Sequence, residues 1–268
     1  ALVIVATYNQ VPYLRRVLRG YLRQDTTDFH LTIADDGSRE DTRELIESFE
    51  PLFAERGIGF QHVWHEDDGF RKCRILNEAV RQSPDAPLLV FSDGDCVPAA
   101  DFVRKHVAVH EPMSFHVAGA YRLTREQSEG IDEDVVASGA YEGMGSRANE
   151  RELAKRRRKS IWGTLLRRKN RPKILGLNFA MDRGLFEALN GFDEEFADWG
   201  VGEDSDMRDR AMRVRPRPAV KVLYGENDVY HLWHPVSKDL SNSRARRRIA
   251  RPVRCVVGLV DETNTSET

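Results

Sequence analysis

The tightest constraint on this chain is a set of four strand-like segments in its first hundred residues, each followed at once by polar groups. "LVIVAT" (2–7), "FHLTIA" (29–34), "IGFQHVW" (58–64) and "LLVF" (88–91) are the predicted strands. A short, continuous apolar run rich in β-branched residues, such as the first, reads as a strand covered on both faces. Between the strands the spacing turns helical. Pro12 suits a first turn, and Leu14, Val17, Leu18, Tyr21 and Leu22 follow on one face. Ser38 is predicted to cap a helix running to about Phe53, with Asp41 in capping-box position. Residues 71–82 carry Ile75, Leu76, Ala79 and Val80, and a further helix holds Phe102, Val103, His106 and Val107. Strand–helix alternation with short connections predicts an α/β fold with a mostly parallel, Rossmann-like central sheet flanked by helices. Ligands of such a sheet sit beyond the C-terminal strand ends.

Those ends carry "TYN" (7–9), "DDGS" (35–38), "HEDDGFR" (65–71) and "SDGD" (92–95). Four consecutive strand ends therefore gather carboxylates, hydroxyls and cations in one region. In Asp93-Gly94-Asp95 the two acids are two residues apart, so in an extended segment both face one side. The glycine between them permits close backbone approach. Paired hard oxygen donors suit Mg²⁺ or Mn²⁺ held together with a ligand's phosphates. A plain Asp-Gly turn is the competing account of the tripeptide alone. Asp36 is a candidate acceptor for a base or ribose, whereas Asp35 reads more readily as part of a capping turn. Arg71 and Lys72, near a helix start, are placed to meet phosphate or to serve as ordinary exposed charge.

The second half is less regular. Residues 122–150 read as loop, and 174–213 as a strand, a short helix, a turn at Asn190-Gly191, a loop and a second helix. The late strands are "AVKVLY" and "DVYHLW", and the tail from 237 to 268 reads as disordered. "FADWGVGEDSDMRDR" sets Glu203 and Asp204 beside Trp199, Gly200 and Gly202. Acids in a first helical turn are favoured by the helix dipole alone. A tryptophan followed by two glycines adds a flat apolar face for a sugar ring, with a general base after it. In "VYHLWHP", His231 and His234 are both possible third ligands for Mn²⁺, and spacing does not choose between them.

Taken together, "VIVATYN", "DDGS", "DDGFRKCRILNEAV", "FSDGDCVP", "NGFDEEF" with "WGVGEDSDMRDR", and "VYHLWHP" resemble inverting family 2 glycosyltransferases of GT-A fold. The resemblance is to the bacterial branch whose C-terminal part is similar to galactosyltransferases and chondroitin-polymerase-type transferases. It implies that Thr7 and Tyr8 line the nucleotide site, that Asp36 accepts from uracil, and that Arg71 lies near the diphosphate or sugar. Asp93 and Asp95 match the DxD motif, Asp95 being the firmer metal ligand, and His231 matches the late metal histidine better than His234. Asp204 matches the catalytic base, with Glu203, Gly202 and Trp199 near the sugars. "WGVGED" has one residue more between Trp199 and Glu203 than related loops. The implied reaction is metal-dependent transfer from a UDP-sugar to a glycan or glycolipid hydroxyl.

Residues 1–236 are expected to form one domain, with a nucleotide-binding half over 1–110, a loop and basic insertion over 122–173, and an acceptor half over 174–236. Within the insertion, 151–173 carries eleven basic residues and one acid, Glu152. It reads as a solvated lid, or as a surface for anionic membrane, phosphorylated lipid or glycan, since Trp162, Leu165 and Leu166 interleave the charges. A formal net charge of −2 gives no general attraction to nucleic acid, and none is expected as partner. Three cysteines, Cys73, Cys96 and Cys255, argue against a disulfide framework and for a reducing compartment. No stretch spans a bilayer and no signal peptide is visible, so a cytoplasmic protein, peripheral at the inner face of the membrane, is expected. The opening "ALVIVATYN" lacks a methionine, and a trimmed chain is expected. Two rival readings remain, a metal-dependent nucleotidyltransferase or phosphohydrolase, and a non-catalytic binding module.

Overall fold

A computed structural model describes residues 1–198, 202–235 and 252–263. In chain order the elements begin with β1 (Leu2–Thr7), α1 (Val11–Leu22), β2 (His30–Asp35), α2 (Glu40–Glu55), β3 (Gly59–Trp64), α3 (Lys72–Gln82) and β4 (Leu88–Asp93). Then follow β5 (Cys96–Val97), α4 (Phe102–Ala108), β6 (Ser114–Val117), β7 (Ala120–Arg122), α5 (Arg125–Glu129), α6 (Glu133–Ser138) and α7 (Arg147–Leu165). The last are β8 (Asn178–Asp182), α8 (Arg183–Ala188), α9 (Glu203–Ala211), β9 (Ala219–Val222) and β10 (Val229–His231).

Seven strands form the main sheet in the order β3-β2-β1-β4-β8-β6-β9. β3, β2, β1 and β4 pair in parallel, β8 is antiparallel to both β4 and β6, and β9 is parallel to β6. β8 is therefore the one reversed strand of this sheet, and the mostly parallel α/β arrangement is as predicted. All six residues of β1 are buried, as its unbroken apolar run requires. One face packs against α1 and α2 through Leu14, Leu18, Ile46 and Phe49. The other packs against α3 and α8, where Phe91 stacks on Phe179 at 4.8 Å.

A second sheet, β5-β10-β7, places the site. β10 runs antiparallel to β5 with His231 opposite Cys96, and parallel to β7 with His231 opposite Arg122. The Leu232 amide also donates to the Asp95 carbonyl at 2.9 Å. The late histidine strand is thus laid directly along the segment that follows β4.

Several predicted local features differ. Ser38 does not cap α2: its hydroxyl accepts from the Asn9 amide at 2.8 Å, and the helix starts at Glu40 without a side-chain cap. Residues 122–150 are not loop, since they hold α5, α6 and the start of α7. These helices are short, polar and side-chain capped, Thr124 forming a capping box with Gln127 and Asp132 accepting from the Val135 amide. Most of the basic segment is helix rather than flexible lid. Ser146 caps α7 by accepting from the Asn149 amide, and Leu153 is buried under it. The predicted disordered tail is packed over 252–263: Cys255 is buried, and the Asn190 amide donates to the carbonyls of Cys255 and Val260.

Candidate active site

The ends of β1, β2 and β4, the start of α3 and the strand β10 enclose a cleft of about 720 Å³. Its walls include Thr7, Tyr8, Asp36, Lys72, Asp93, Asp95, His231 and His234. All four predicted strand-end clusters thus contribute wall residues, the third through Gly69 and Phe70.

Gly94 draws the Asp93–Asp95 turn against β1. Its amide donates to the Ala6 carbonyl at 2.7 Å, and a Cβ there would meet Thr7 Oγ1 at 3.0 Å. The close approach predicted for this glycine is therefore to the chain's own first strand. Asp93 and Asp95 leave the turn with different partners. Lys72 Nζ donates to Asp93 Oδ1 at 2.5 Å. Asp95 is nearly buried, and its Oδ2 lies 3.2 Å from His234 Nε2 and 3.7 Å from His231 Nε2. Burial alone would raise the Asp95 pKa, but the two imidazoles outweigh it and hold the carboxyl below its ordinary value.

The histidines are unlike each other. Burial lowers the pKa of His231, against the pull of Asp95, so its ring is held neutral near pH 7. His234, hydrogen-bonded to Asp95 and more exposed, has a raised pKa. A carboxylate oxygen with converging imidazole nitrogens is a donor set that a divalent cation such as Mn²⁺ can take. Cys96 Sγ lies near the same cluster, yet burial raises its pKa far above the ordinary thiol value. Without a metal the thiol is therefore held protonated, and its Sγ is shared with Asp95 at 3.2 Å.

Asp36 is buried with both oxygens engaged. His65 Nε2 lies 2.8 Å from Oδ1, and the Arg71 amide donates to Oδ2 at 3.0 Å. Asp35 is structural, accepting from the Ser38 amide and facing His62, as its capping-turn reading implied. Thr7 is buried with its hydroxyl lacking any protein hydrogen-bond partner, and it lines the cleft. Tyr8 is half exposed and donates to Asp67 Oδ2 at 2.9 Å across the rim.

The cations lining the cleft, Lys72 and Arg122, do not include the predicted Arg71. Arg71 turns its guanidinium to Asp68, 3.0 Å away, and is absent from the cleft wall. Its neighbour Lys72 takes that place. Burial opposes the Lys72 charge, but Asp93, Asp204 and Glu203 outweigh it and hold the ammonium well above the ordinary lysine range. The only signal for this in the sequence was adjacency, because the side-chain direction at a helix start is set by packing.

Asp204 lies in the first turn of α9, whose N-cap Gly202 has φ 98° and donates its amide to Glu203 at 3.1 Å. Asp204 Oδ2 accepts from the Gly176 amide at 2.8 Å, and a Cβ at Gly176 would sit 2.7 Å from its carboxylate. Burial, then the neighbouring Glu203, push the Asp204 pKa up to about 7, against Lys72 and the Gly176 amide. Neither Asp204 nor Glu203 lines the main cleft, and their link to it runs through the charge of Lys72. α9 is fixed from below by Arg210, which is fully buried. Arg210 pairs with Asp206 at 2.6 Å and donates to the carbonyls of Leu189 and Gly191. Trp199 lies outside the described residues.

This sheet order, with carboxylates, imidazoles and a lysine gathered at the C-terminal strand ends, defines a GT-A-type α/β domain. The profile of Glycosyl transferase family 2 matches residues 2–189, and the chain belongs to that family. A second profile, the N-terminal domain of galactosyltransferase, matches 161–222. Among curated proteins, the chain is 27% identical over 226 residues to validoxylamine A glucosyltransferase of Streptomyces hygroscopicus subsp. jinggangensis, covering 76% of this chain and 49% of that one. It is 26% identical over 233 residues to chondroitin synthase of Escherichia coli, covering 79% and 32%. The chain thus spans about half, or less, of the length of these relatives. Among solved structures it is similar to S. aureus TarS 1–349 in complex with UDP, with TM-score 0.59, 18% identity and coverage of 85% and 59%. The mannosyltransferase PcManGT of Pyrobaculum calidifontis, in complex with GDP-Man and Mn2+, gives 0.55, 19%, 89% and 57%. Family membership sets aside the two rival readings.

Proposed function

We propose that this domain transfers a sugar from a UDP-sugar to a hydroxyl of a glycan or glycolipid acceptor, inverting the anomeric centre. The observation that carries the reading is the joining of two charge systems by Lys72. Asp93, Asp95 and the histidines form one, and Asp204 with Glu203 forms the other. Such an arrangement suits a leaving diphosphate on one side and a deprotonated nucleophile on the other.

Thr7 and Tyr8 flank the nucleotide, through backbone and ring. Asp36, held rigid by His65 and the Arg71 amide, accepts from the uracil edge. Asp95 and His231, with Asp93 beside them, hold a divalent cation, Mn²⁺ or Mg²⁺. When bound, that cation supplies positive charge to the departing diphosphate. Lys72 adds a second positive charge at the same phosphates. Asp204, its affinity for a proton raised by burial and by Glu203, takes the acceptor hydroxyl's proton as the oxygen attacks the anomeric carbon. The bond to UDP breaks on the opposite face in the same displacement. Gly202 and Glu203 border the sugars. The 1–110 half serves the donor and the 174–236 half the acceptor and base.

The test is UDP release from a panel of UDP-sugars, with and without Mn²⁺, on wild type and Asp204→Asn. Wild type should release UDP from at least one donor only with metal. Asp204→Asn should bind UDP with wild-type affinity while turnover falls by about 10³-fold or more. Full turnover in the variant would remove Asp204 as base.

A further inference from the structure

Helix α7 carries a face that no part of the described structure covers. Arg151, Lys155, Arg158, Trp162 and Leu165 follow at alternating spacings of four and three, so they line one side of the helix. The opposite side packs inward through Leu153, Ser160 and Gly163. At the C-terminal end Trp162 is 61% exposed, Leu165 67% and Leu166 58%, with Ile161 also exposed. Isolated exposed apolar residues are ordinary, but four together on one helix end mark an interaction surface. Arg158, Lys159, Arg167, Arg168 and Lys169 surround them and have no acidic partner among the described residues.

We infer that this end of α7 docks on the surface of an anionic lipid bilayer, independently of the reaction the cleft performs. Clustered cations are drawn to an anionic headgroup layer, and an exposed indole settles at its boundary. Leucine and isoleucine side chains beside them gain by entering the acyl region. Other occupants fit less well. A second copy would bring the same positive face against itself. The chain's own segment 236–251 carries Lys238, Arg244, Arg246, Arg247, Arg248 and Arg251 against a single acid, Asp239, so it has the same sign of charge. A nucleic acid would match the cations but leave Ile161, Leu165 and Leu166 with nothing to bury against. No described helix is long and apolar enough to cross a membrane, so the contact is peripheral.

The surface also lies next to the catalytic half. Leaving α7, the chain passes Asn170, which accepts from Arg208 of α9, and Lys173, whose carbonyl accepts from Tyr224. It then reaches Gly176, whose amide holds Asp204. A bilayer seated on α7 would therefore lie on the side from which that segment leads to the base.

The experiment is co-sedimentation of the full chain with phosphatidylcholine vesicles, with and without phosphatidylglycerol, at low and high salt. Expected is at least about 10-fold stronger partitioning to the anionic vesicles, lost in high salt. Trp162→Ser/Leu165→Ser/Leu166→Ser and, separately, Arg158→Glu/Lys159→Glu should each lower it about 10-fold, with far-UV circular dichroism unchanged. Brominated acyl chains should quench tryptophan emission of the wild type and not of Trp162→Phe, a readout that needs no multiply substituted protein. Equal partitioning to both vesicles overturns the inference. So does binding to double-stranded DNA that survives the triple change while anionic vesicles are ignored.

Discussion

Lys72 Nζ lies 2.5 Å from Asp93 Oδ1, and the same ammonium is held charged by Asp204 and Glu203 beyond it. One side chain thus couples the strand-end carboxylates to the proposed base. Removing it should act on both. In Lys72→Met, kcat should fall about 10²-fold through loss of charge at the diphosphate. Because Lys72 lowers the Asp204 pKa, the acid limb of the rate profile should also move to higher pH. A variant with reduced rate and an unmoved limb would show Lys72 to act on the donor alone.

Asp204 sets a pH dependence of its own. With its pKa raised to about 7, it is protonated in mildly acidic solution and cannot accept a proton. Turnover should therefore fall below about pH 7, tenfold per unit, when kcat/KM is followed from pH 5 to 9. Asp204→Asn should erase that limb from whatever rate remains.

The same carboxyl predicts a stability effect of opposite sign. A group whose folded pKa lies above its unfolded value favours the fold while protonated, and that contribution is lost as pH rises through the folded pKa. Here the window runs from the ordinary carboxyl value to about 7. At pH 8 Asp204→Asn should thus be more stable than wild type, by about 1–3 kcal/mol in urea unfolding, with the difference closing near pH 4. Equal stability at both pH values would mean the carboxylate is better solvated than its position indicates.

Metal dependence should divide between the two histidines. Asp95→Ala should abolish the gain in UDP affinity that Mn²⁺ gives, measured by titration calorimetry. His231→Ala should do nearly the same, while His234→Ala should lose less, since the neutral, more buried ring is the better ligand. The reverse order would assign the ligand to His234, which stands closer to Asp95.

Much of this site was legible because it follows from apolar runs and what ends them. β1, β2, β3 and β4 fall within a residue or two of their predicted bounds, and their ends meet at one cleft. Residues whose role depends on side-chain direction were not legible. Arg71 and Lys72 are adjacent, and only packing of α3 decides which faces the cleft. Ser38 has a cap-like sequence, but the Asn9 amide takes its hydroxyl. In α7 the charge run hid a helix, since a helix that buries few residues shows little apolar periodicity. Its many Arg, Lys, Glu and Ala residues were the available signal. Arg210 was unreadable for another reason: a fully buried arginine looks, in sequence, like any surface cation.

That arginine carries a prediction of stability. Arg210 satisfies Asp206 and two backbone carbonyls in an interior position. Arg210→Met should destabilise by about 3–5 kcal/mol in urea unfolding, because these acceptors lose a buried donor. Arg210→Lys should recover little, since an ammonium cannot span all three.

The pairing of β10 with β5 bears on how the protein is made. Asp95 emerges early from the ribosome, and His231 follows only after the rest of the sheet, β8, β6 and β9, has been synthesised. The first four strands can therefore be complete while the late partner of the proposed cation site is still unborn. A truncated product ending before β10 would keep the nucleotide-facing strands yet lack the late imidazoles. If Asp95 and His231 hold the cation as proposed, competence for metal would be tied to completion of the polypeptide through Tyr230 and His231.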